Sequence, residues 1–386
     1  MNWENLREEF PVTKNYIYMN TGWCGPRSLQ VQKSIDDLFQ IEREKGVANP
    51  ELIKMRENIR NSARTKLAEL LNADEDEIAL TDNTSNGINI VVASIDWKKG
   101  DEVIISDEEH PAGIVPWFYL RDLKGVKVKV VKIGNDEVDF LKGLKESLTD
   151  KTKLICLSHV SCMTGFRLPV KKVAEIAGNS KALVLIDGAQ SAGHIKANVK
   201  ELGSDIYCVP GQKWLFGPEG TGALYVKKSL IGKLSCINAG YRSIKAFNFE
   251  KNEMALHDTA KKFEIADRNC ALLAGLSKSL EYLNAIGIEK TEKRIKDQSL
   301  ILIDALKQIP NVEILSPHEK GVCHSGLISI TIKDKSASEA VNSLYQNKKI
   351  ICRHFPSKNI IRFSMNFFNT QKEIEAVAEA IKKIAT

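Results

Sequence analysis

Paired cysteine motifs are absent from this chain. The eight cysteines, at positions 24, 156, 162, 208, 236, 270, 323 and 352, form no C-x-x-C pair and no metal-ligand spacing. That sets aside a zinc site and a disulfide framework. Cys156 and Cys208 lie inside apolar runs and read as small, inert core residues. Blocks of basic residues interleaved with aromatics are also missing. The net charge of +6 is spread along the polar faces of apparent helices, which argues against a nucleic-acid partner. No apolar run reaches the length of a membrane helix, and the charged opening MNWENLREEF does not read as a signal peptide. Together these absences predict a reducing cytoplasmic compartment. Internal repeats and low-complexity linkers are lacking as well.

What remains describes a globular enzyme-sized chain. Its 386 residues exceed one ordinary core and predict two domains, which we set at 16–245 and at 1–15 plus 246–386. Residues 1–15 predict a helix, and Ser28 to Leu71 carries helical period throughout. Short apolar runs then alternate with helical stretches: EIAL, EVIIS, VKVKVVKI, LICLSHV, ALVLI, DIYCV and GALYV. That alternation predicts an α/β architecture, a mostly parallel, doubly wound sheet with crossover helices. Beyond Ala246 the pattern becomes α+β. FEIADRNCALLAGLSKSLEYLNAIG predicts one helix ended by Gly287, followed by a second long helix, the strands VEIL, LISITI, KIICR and IIRFS, and a last helix from Thr370.

The chain is organised around PGQKWLFGPEGT, Pro210 to Thr221. Gly and Pro on both sides hold Lys213 on a short turn after the run DIYCV. Twenty-six residues earlier the run ALVLI ends in Asp187. A lysine and a carboxylate on successive strand ends suit pyridoxal phosphate. The lysine forms the Schiff base, and the carboxylate keeps the pyridine nitrogen protonated. Alone, either residue would pass for a surface charge. Thr84 and Ser85 open an apolar helix, where free N–H groups bind phosphate, although the pair could equally be caps. His110, before Pro111 at another strand end, could stack on a cofactor ring. Arg362 lies in an apolar run, where an unpaired guanidinium is costly; with Arg353 it could bind a carboxylate. In such sheets ligands collect outside the carboxyl ends of the strands, where these residues converge.

NTSNGIN, EEHPAGIVPW, LSHVSCMTG, the DGAQ run, GQKWLFGPEGTG and RFSMNFFNT together resemble the class V aminotransferase superfamily, fold type I of the pyridoxal phosphate enzymes. The resemblance runs from Ile17 onward. It implies a seven-stranded sheet domain, a smaller C-terminal α+β domain, a homodimer, and chemistry on a small amino acid. By position, Lys213 resembles the Schiff-base lysine and Asp187 the pyridinium partner. His110 matches the ring-stacking residue and Gln190 the one near the ring hydroxyl. Thr84, Ser85 and Gln212 match phosphate ligands, many members carrying His where Gln212 stands. Arg362, with Arg353 and Asn20, matches the substrate-binding set. Three positions depart from the pattern. RHFPSKNIIR has no cysteine between Arg353 and Arg362, where desulfurases carry a persulfide-forming thiol. Cys162 replaces an Asn of some members. Asp267 stands where a neighbouring subunit's Thr often reaches the phosphate, with Arg268 beside it as a substitute.

The resemblance therefore implies carbon–sulfur cleavage of a cysteine- or cystine-like amino acid by a lyase route. A desulfurase using a displaced thiol (Cys352, Cys323 or Cys24), an epimerase or aminotransferase, and an idle fold-type-I binding protein are the alternatives.

Overall fold

The structure is a computed structural model and describes residues 2–134, 136–318 and 325–386. Cys323 lies outside the described residues. The chain enters through α1 (Trp3–Glu8) and the two-residue β1 (Ile17–Tyr18). The helical stretch to Leu71 divides into α2 (Leu29–Lys45) and α3 (Pro50–Leu71). Gly46, at φ 74°, ends the first, and Asn49 caps the second ahead of Pro50.

Next come β2 (Ile78–Thr81), α4 (Thr84–Ser94), β3 (Glu102–Ser106), α5 (Val115–Lys124), β4 (Lys127–Val131), α6 (Glu137–Ser147) and β5 (Thr152–Ser158). They are followed by α7 (Val170–Gly178), β6 (Leu183–Asp187), α8 (Val199–Leu202), β7 (Ile206–Pro210), β8 (Gly222–Val226) and α9 (Lys228–Ile231). Among the described residues seven strands form one sheet, in the order β2-β8-β7-β6-β5-β3-β4. Only β8 runs against the others. Both faces are covered, as a parallel sheet requires. Ile155, Leu157, Val184, Ile186 and Val209 pack into one core, and the alternate residues Leu154, Cys156, Leu185 and Cys208 into a second.

Sequence reading did not foresee the hairpin that follows, β9 (Ile244–Asn248) with β10 (Glu253–Leu256). Its side chains are mostly exposed, so they carry no buried-strand alternation. The long helix expected from Phe263 begins later. Asn269 accepts from the N–H groups of Ala271 and Leu272 and so starts α10 at Cys270, ending at Ile286. Then come α11 (Ile288–Lys307), β11 (Val312–Ile314), β12 (Leu327–Ile332) and α12 (Ala337–Lys348). The expected strand KIICR splits into β13 (Ile350–Ile351) and β14 (Arg353–Phe355), because β13 pairs with β1 while β14 pairs with β15 (Ile360–Ser364). Helix α13 (Gln371–Ala385) closes the chain. The antiparallel order β11-β12-β15-β14 makes the smaller sheet, and its apolar face, Ile328, Ile330, Ile361 and Phe363, joins the first core.

Candidate active site

Because β2, β3, β5, β6 and β7 are parallel, their carboxyl ends share one edge. Asp187 is the last residue of β6 and Lys213 follows β7 by three residues. The Lys213 turn is tightly braced. Gly25 donates to the Gln212 carbonyl at 2.7 Å, and a Cβ on Gly25 would stand 2.1 Å from the Lys213 carbonyl oxygen. Phe216 takes the left-handed conformation at φ 56°, which turns the chain back so that the N–H of Gly217 reaches the Gly211 carbonyl at 2.9 Å.

Burial lowers the proton affinity of the half-buried Lys213, and the nearby charge of Asp187 opposes that shift. Asp187 is itself buried, which raises its pKa, while Lys213 and the Ala189 N–H (2.7 Å from Oδ1) pull it down. His110 caps the short turn at Pro111, its Nδ1 accepting from the Ala112 N–H at 3.1 Å. Burial first, then the cations Lys213, Arg353 and Arg362, push the imidazole down to about 4, so it is neutral at physiological pH. The amide of Gln190 is anchored at both ends: Nε2 donates to the Gly22 carbonyl and Oε1 accepts from Trp214 Nε1, each at 2.8 Å.

Helix α4 starts beside the Lys213 turn, since a Cβ on Gly222 would meet Asn83 Cα at 3.1 Å and one on Gly87 would meet Cys208 Sγ at 2.9 Å. Thr84 and Ser85 are not its caps. Asn83 is the cap, accepting from the Asn86 N–H at 2.9 Å. The Thr84 hydroxyl is therefore left buried with no partner, as is Oε1 of Gln212, while Ser85 is exposed. Asp267 is engaged elsewhere, accepting from Arg60 at 2.9 Å and Arg242 at 2.7 Å. Arg268 donates to the Leu80 carbonyl at 3.0 Å and ion-pairs with Asp82, just ahead of α4.

The smaller sheet supplies the opposite wall. Arg353 and Arg362 face each other across β14 and β15. The Phe355 ring lies 5.0 Å from the first guanidinium and 5.2 Å from the second. Arg353 also lies 5.5 Å from the exposed ring of Trp23. Arg362 is buried, donates from Nη1 to the Cys162 carbonyl at 2.6 Å, and keeps Nε and Nη2 buried without partners. Asn20, bridged to Ser364, likewise has a buried, unpartnered Oδ1.

One group at this edge escaped sequence reading. Glu109 is buried between strand ends, with its carboxylate accepting from Ser106 Oγ and Ser158 Oγ at 2.5 Å each and from the Ser158 N–H at 3.0 Å. Burial, partly offset by those bonds, pushes its pKa up to about 7. In the run Asp107-Glu108-Glu109 nothing local separates it from its neighbours.

A lysine and a buried aspartate at the carboxyl edge of a seven-stranded, mostly parallel sheet define a fold-type-I cofactor enzyme. The sequence profile of the aminotransferase class-V family matches residues 35–377. The chain belongs to that family of pyridoxal-phosphate-dependent enzymes. It is 28% identical to the probable cysteine desulfurase of Methanothermobacter thermautotrophicus, over 100% of this chain and 98% of that protein. It is 31% identical to the cysteine desulfurase of Wigglesworthia glossinidia brevipalpis, over 83% of this chain and 80% of that one. A solved complex of the cystine C–S lyase C-DES with its reaction product cysteine persulfide superposes with a TM-score of 0.91. Identity there is 28%, covering 97% of this chain and 99% of that one.

The side chains present fit pyridoxal phosphate on their own chemistry. An unpaired buried polar group costs about 1–3 kcal/mol. The Thr84 hydroxyl, in the first turn of α4, meets the needs of a phosphate, toward which Gln212 would present its amide N–H groups rather than Oε1. The free N–H groups of Arg362 meet those of a carboxylate. No helix among the described residues is long and apolar enough to cross a membrane.

Proposed function

We propose that this chain cleaves the carbon–sulfur bond of a cysteine- or cystine-like amino acid by β-elimination, without passing sulfur to a protein thiol. When bound, pyridoxal phosphate supplies an electron sink for the negative charge that develops at the substrate α-carbon. Lys213, its proton affinity lowered by burial, anchors that cofactor and then serves as the base that removes the α-proton. Asp187 would hold a proton on the ring nitrogen. Neutral His110 would lie against the ring, and Gln190 would have one N–H left for the ring hydroxyl. Thr84, Ser85, Gln212 and the first N–H groups of α4 hold the phosphate. Arg362 binds the substrate carboxylate through Nε and Nη2, with Arg353 and Asn20 beside it. Two guanidinium groups directly opposite on paired strands repel each other, which an anionic substrate relieves.

The carrying observation is the state of the candidate thiols among the described residues, Cys352 and Cys24. RHFPSKNIIR offers no cysteine between the two arginines. Cys352, just before that run, is buried, and burial pushes its thiol up to about 12. Burial also raises the thiol of Cys24. Neither is a thiolate poised to accept sulfur. Product analysis on L-cysteine and L-cystine tests the reading. Pyruvate and ammonia are expected, with most turnover retained in Cys352→Ser and Cys323→Ser. Alanine as the main product, with turnover lost in either serine variant, would assign a desulfurase. Neither product from either amino acid would favour an epimerase or aminotransferase.

We further propose a homodimer in the cytoplasm. The family resemblance supports the first, and the unpaired state of the described cysteines suits the second. A fully active monomer in sedimentation would overturn the homodimer. Activity confined to an oxidising compartment on fractionation would overturn the location.

A further inference from the structure

The two walls of the site meet at a residue that the proposed mechanism does not use. His194 is buried, seven residues beyond Asp187. Its Nδ1 lies 2.8 Å from the Gln190 carbonyl, and the N–H of Gly326 reaches its Nε2 at 2.7 Å. A carbonyl only accepts and an N–H only donates. The ring must therefore carry its proton on Nδ1 alone, and a second proton would set two N–H groups against each other. The imidazole also stacks on Trp214, with centroids 3.7 Å apart and planes 9° apart. Trp214 directly follows Lys213 and donates to the Gln190 amide.

On the far side, the Gly326 carbonyl accepts from the Met365 N–H at 2.7 Å, and Leu327 pairs with Ser364. That strand end carries Arg362 two residues earlier. The junction is close-packed: a Cβ on Gly326 would meet Ile295 at 2.5 Å and His194 Nε2 at 3.1 Å. Beside it Ser325 Oγ donates to the Gly165 carbonyl at 2.8 Å and Ser329 Oγ to the Met163 carbonyl.

We propose that His194 is a positioning residue that sets the spacing between the Lys213–Gln190 wall and the Arg362 wall of the site. The proposal rests on the reading of Arg362 as the substrate-carboxylate site. Losing the Gly326 bond removes one tie on the start of β12, beside that of Ser325 to the Gly165 carbonyl, and lets Arg362 shift with the paired strand. The anchoring of the cofactor by Lys213 and Asp187, which sit on the other wall, is unaffected. The expected signature is therefore a rise in KM with little change in cofactor retention.

Three variants of the holoenzyme separate the contacts. His194→Asn keeps a donor near Nδ1 and loses the acceptor for Gly326. His194→Phe keeps the stack and loses both bonds. His194→Gln carries an amide oxygen out to where Nε2 lies. We expect KM to rise by about tenfold or more in the Asn and Phe variants, as loss of a bond positioning a charged group implies. Bound-cofactor absorption should persist in both, and KM should return most of the way in the Gln variant. Unchanged KM in folded Asn or Phe variants, or equal behaviour of Asn and Gln, would overturn the proposal.

A wild-type measurement stands beside these. Long-range 15N–1H spectra of the histidine rings should show His194 neutral with its proton on Nδ1. A proton on Nε2, or a charged ring, would overturn the proposal even if the variants do not fold. A wild type that turns over no amino acid would defeat the proposed function instead, and the ring spectrum would still decide the clasp.

Discussion

Burial acts in opposite directions on Lys213 and Asp187, weakening the lysine's hold on its proton and strengthening the aspartate's. A pair with converging proton affinities suits proton traffic, and such pairs cluster at functional sites. Lys213→Ala is predicted to abolish turnover and retention of the cofactor chromophore while leaving the circular dichroism spectrum intact. Appreciable turnover in that variant would mean another lysine does the work. Asp187→Asn would remove the charge proposed to keep a ring nitrogen protonated, so the loss should fall on the transition state. A drop of order 10² or more in kcat with a much smaller change in KM is expected. Steady-state kinetics showing a KM effect alone would reassign Asp187. Their positions at the strand ends were legible because Asp187 ends an apolar run beside Gly188 and Lys213 follows one in a turn opened by Pro210 and Gly211. Glu109 and His194 were not legible. Their partners, Ser158 and Gly326, lie 49 and 132 residues away, and no local period signals such contacts.

At the scale of elements, the strand–helix alternation gave the large sheet in advance because its strands are buried on both faces. The exposed hairpin β9–β10 carried no such signal, and the start of α10 was obscured by the apolar residues before Asn269. The same logic explains why Thr84 was read as a possible cap. Asn83 does that work, which leaves the threonine hydroxyl for a ligand. The Lys213 turn depends on Gly25. An added methyl there meets a main-chain oxygen at 2.1 Å and the Phe216 ring at 2.9 Å, neither at the end of a flexible side chain. Gly25→Ala is predicted to cost about 1–3 kcal/mol by overpacking. It should cost disproportionately more activity, because the atom displaced belongs to Lys213. Equal fractional losses in thermal stability and in kcat/KM across this variant would contradict that.

For the whole molecule, buried histidines set the response to acid. His110, His159 and His194 are held at about 4, 3 and 4, below the ordinary 6.5, chiefly by burial. Between about pH 6.5 and 4 the unfolded chain binds their protons and the folded chain does not, so stability falls as pH falls. Glu109, raised to about 7 from an ordinary 4.5, works the other way, and Asp187 shares its sign. Three histidines against these carboxyls leave a net uptake of at most about two protons on unfolding near pH 5.5. The melting temperature should therefore be lower at pH 5 than at pH 7. A flat or rising profile in calorimetry over that range would refute it.

The chain's early residues are stitched to its late ones. Arg7 binds Glu373, 366 residues on, at 2.7 Å, and β1 pairs with β13. On a ribosome adding about 5–20 residues per second, that gap lasts roughly 20–70 s. Until β13 emerges β1 lacks its strand partner, although the strands of the large sheet precede it in the chain and already bring Gln190 to Gly22 and Gln212 to Gly25. The wall bearing Arg353 and Arg362 is thus a late arrival, and a nascent chain stalled before β13 would hold the strands of the large sheet without it.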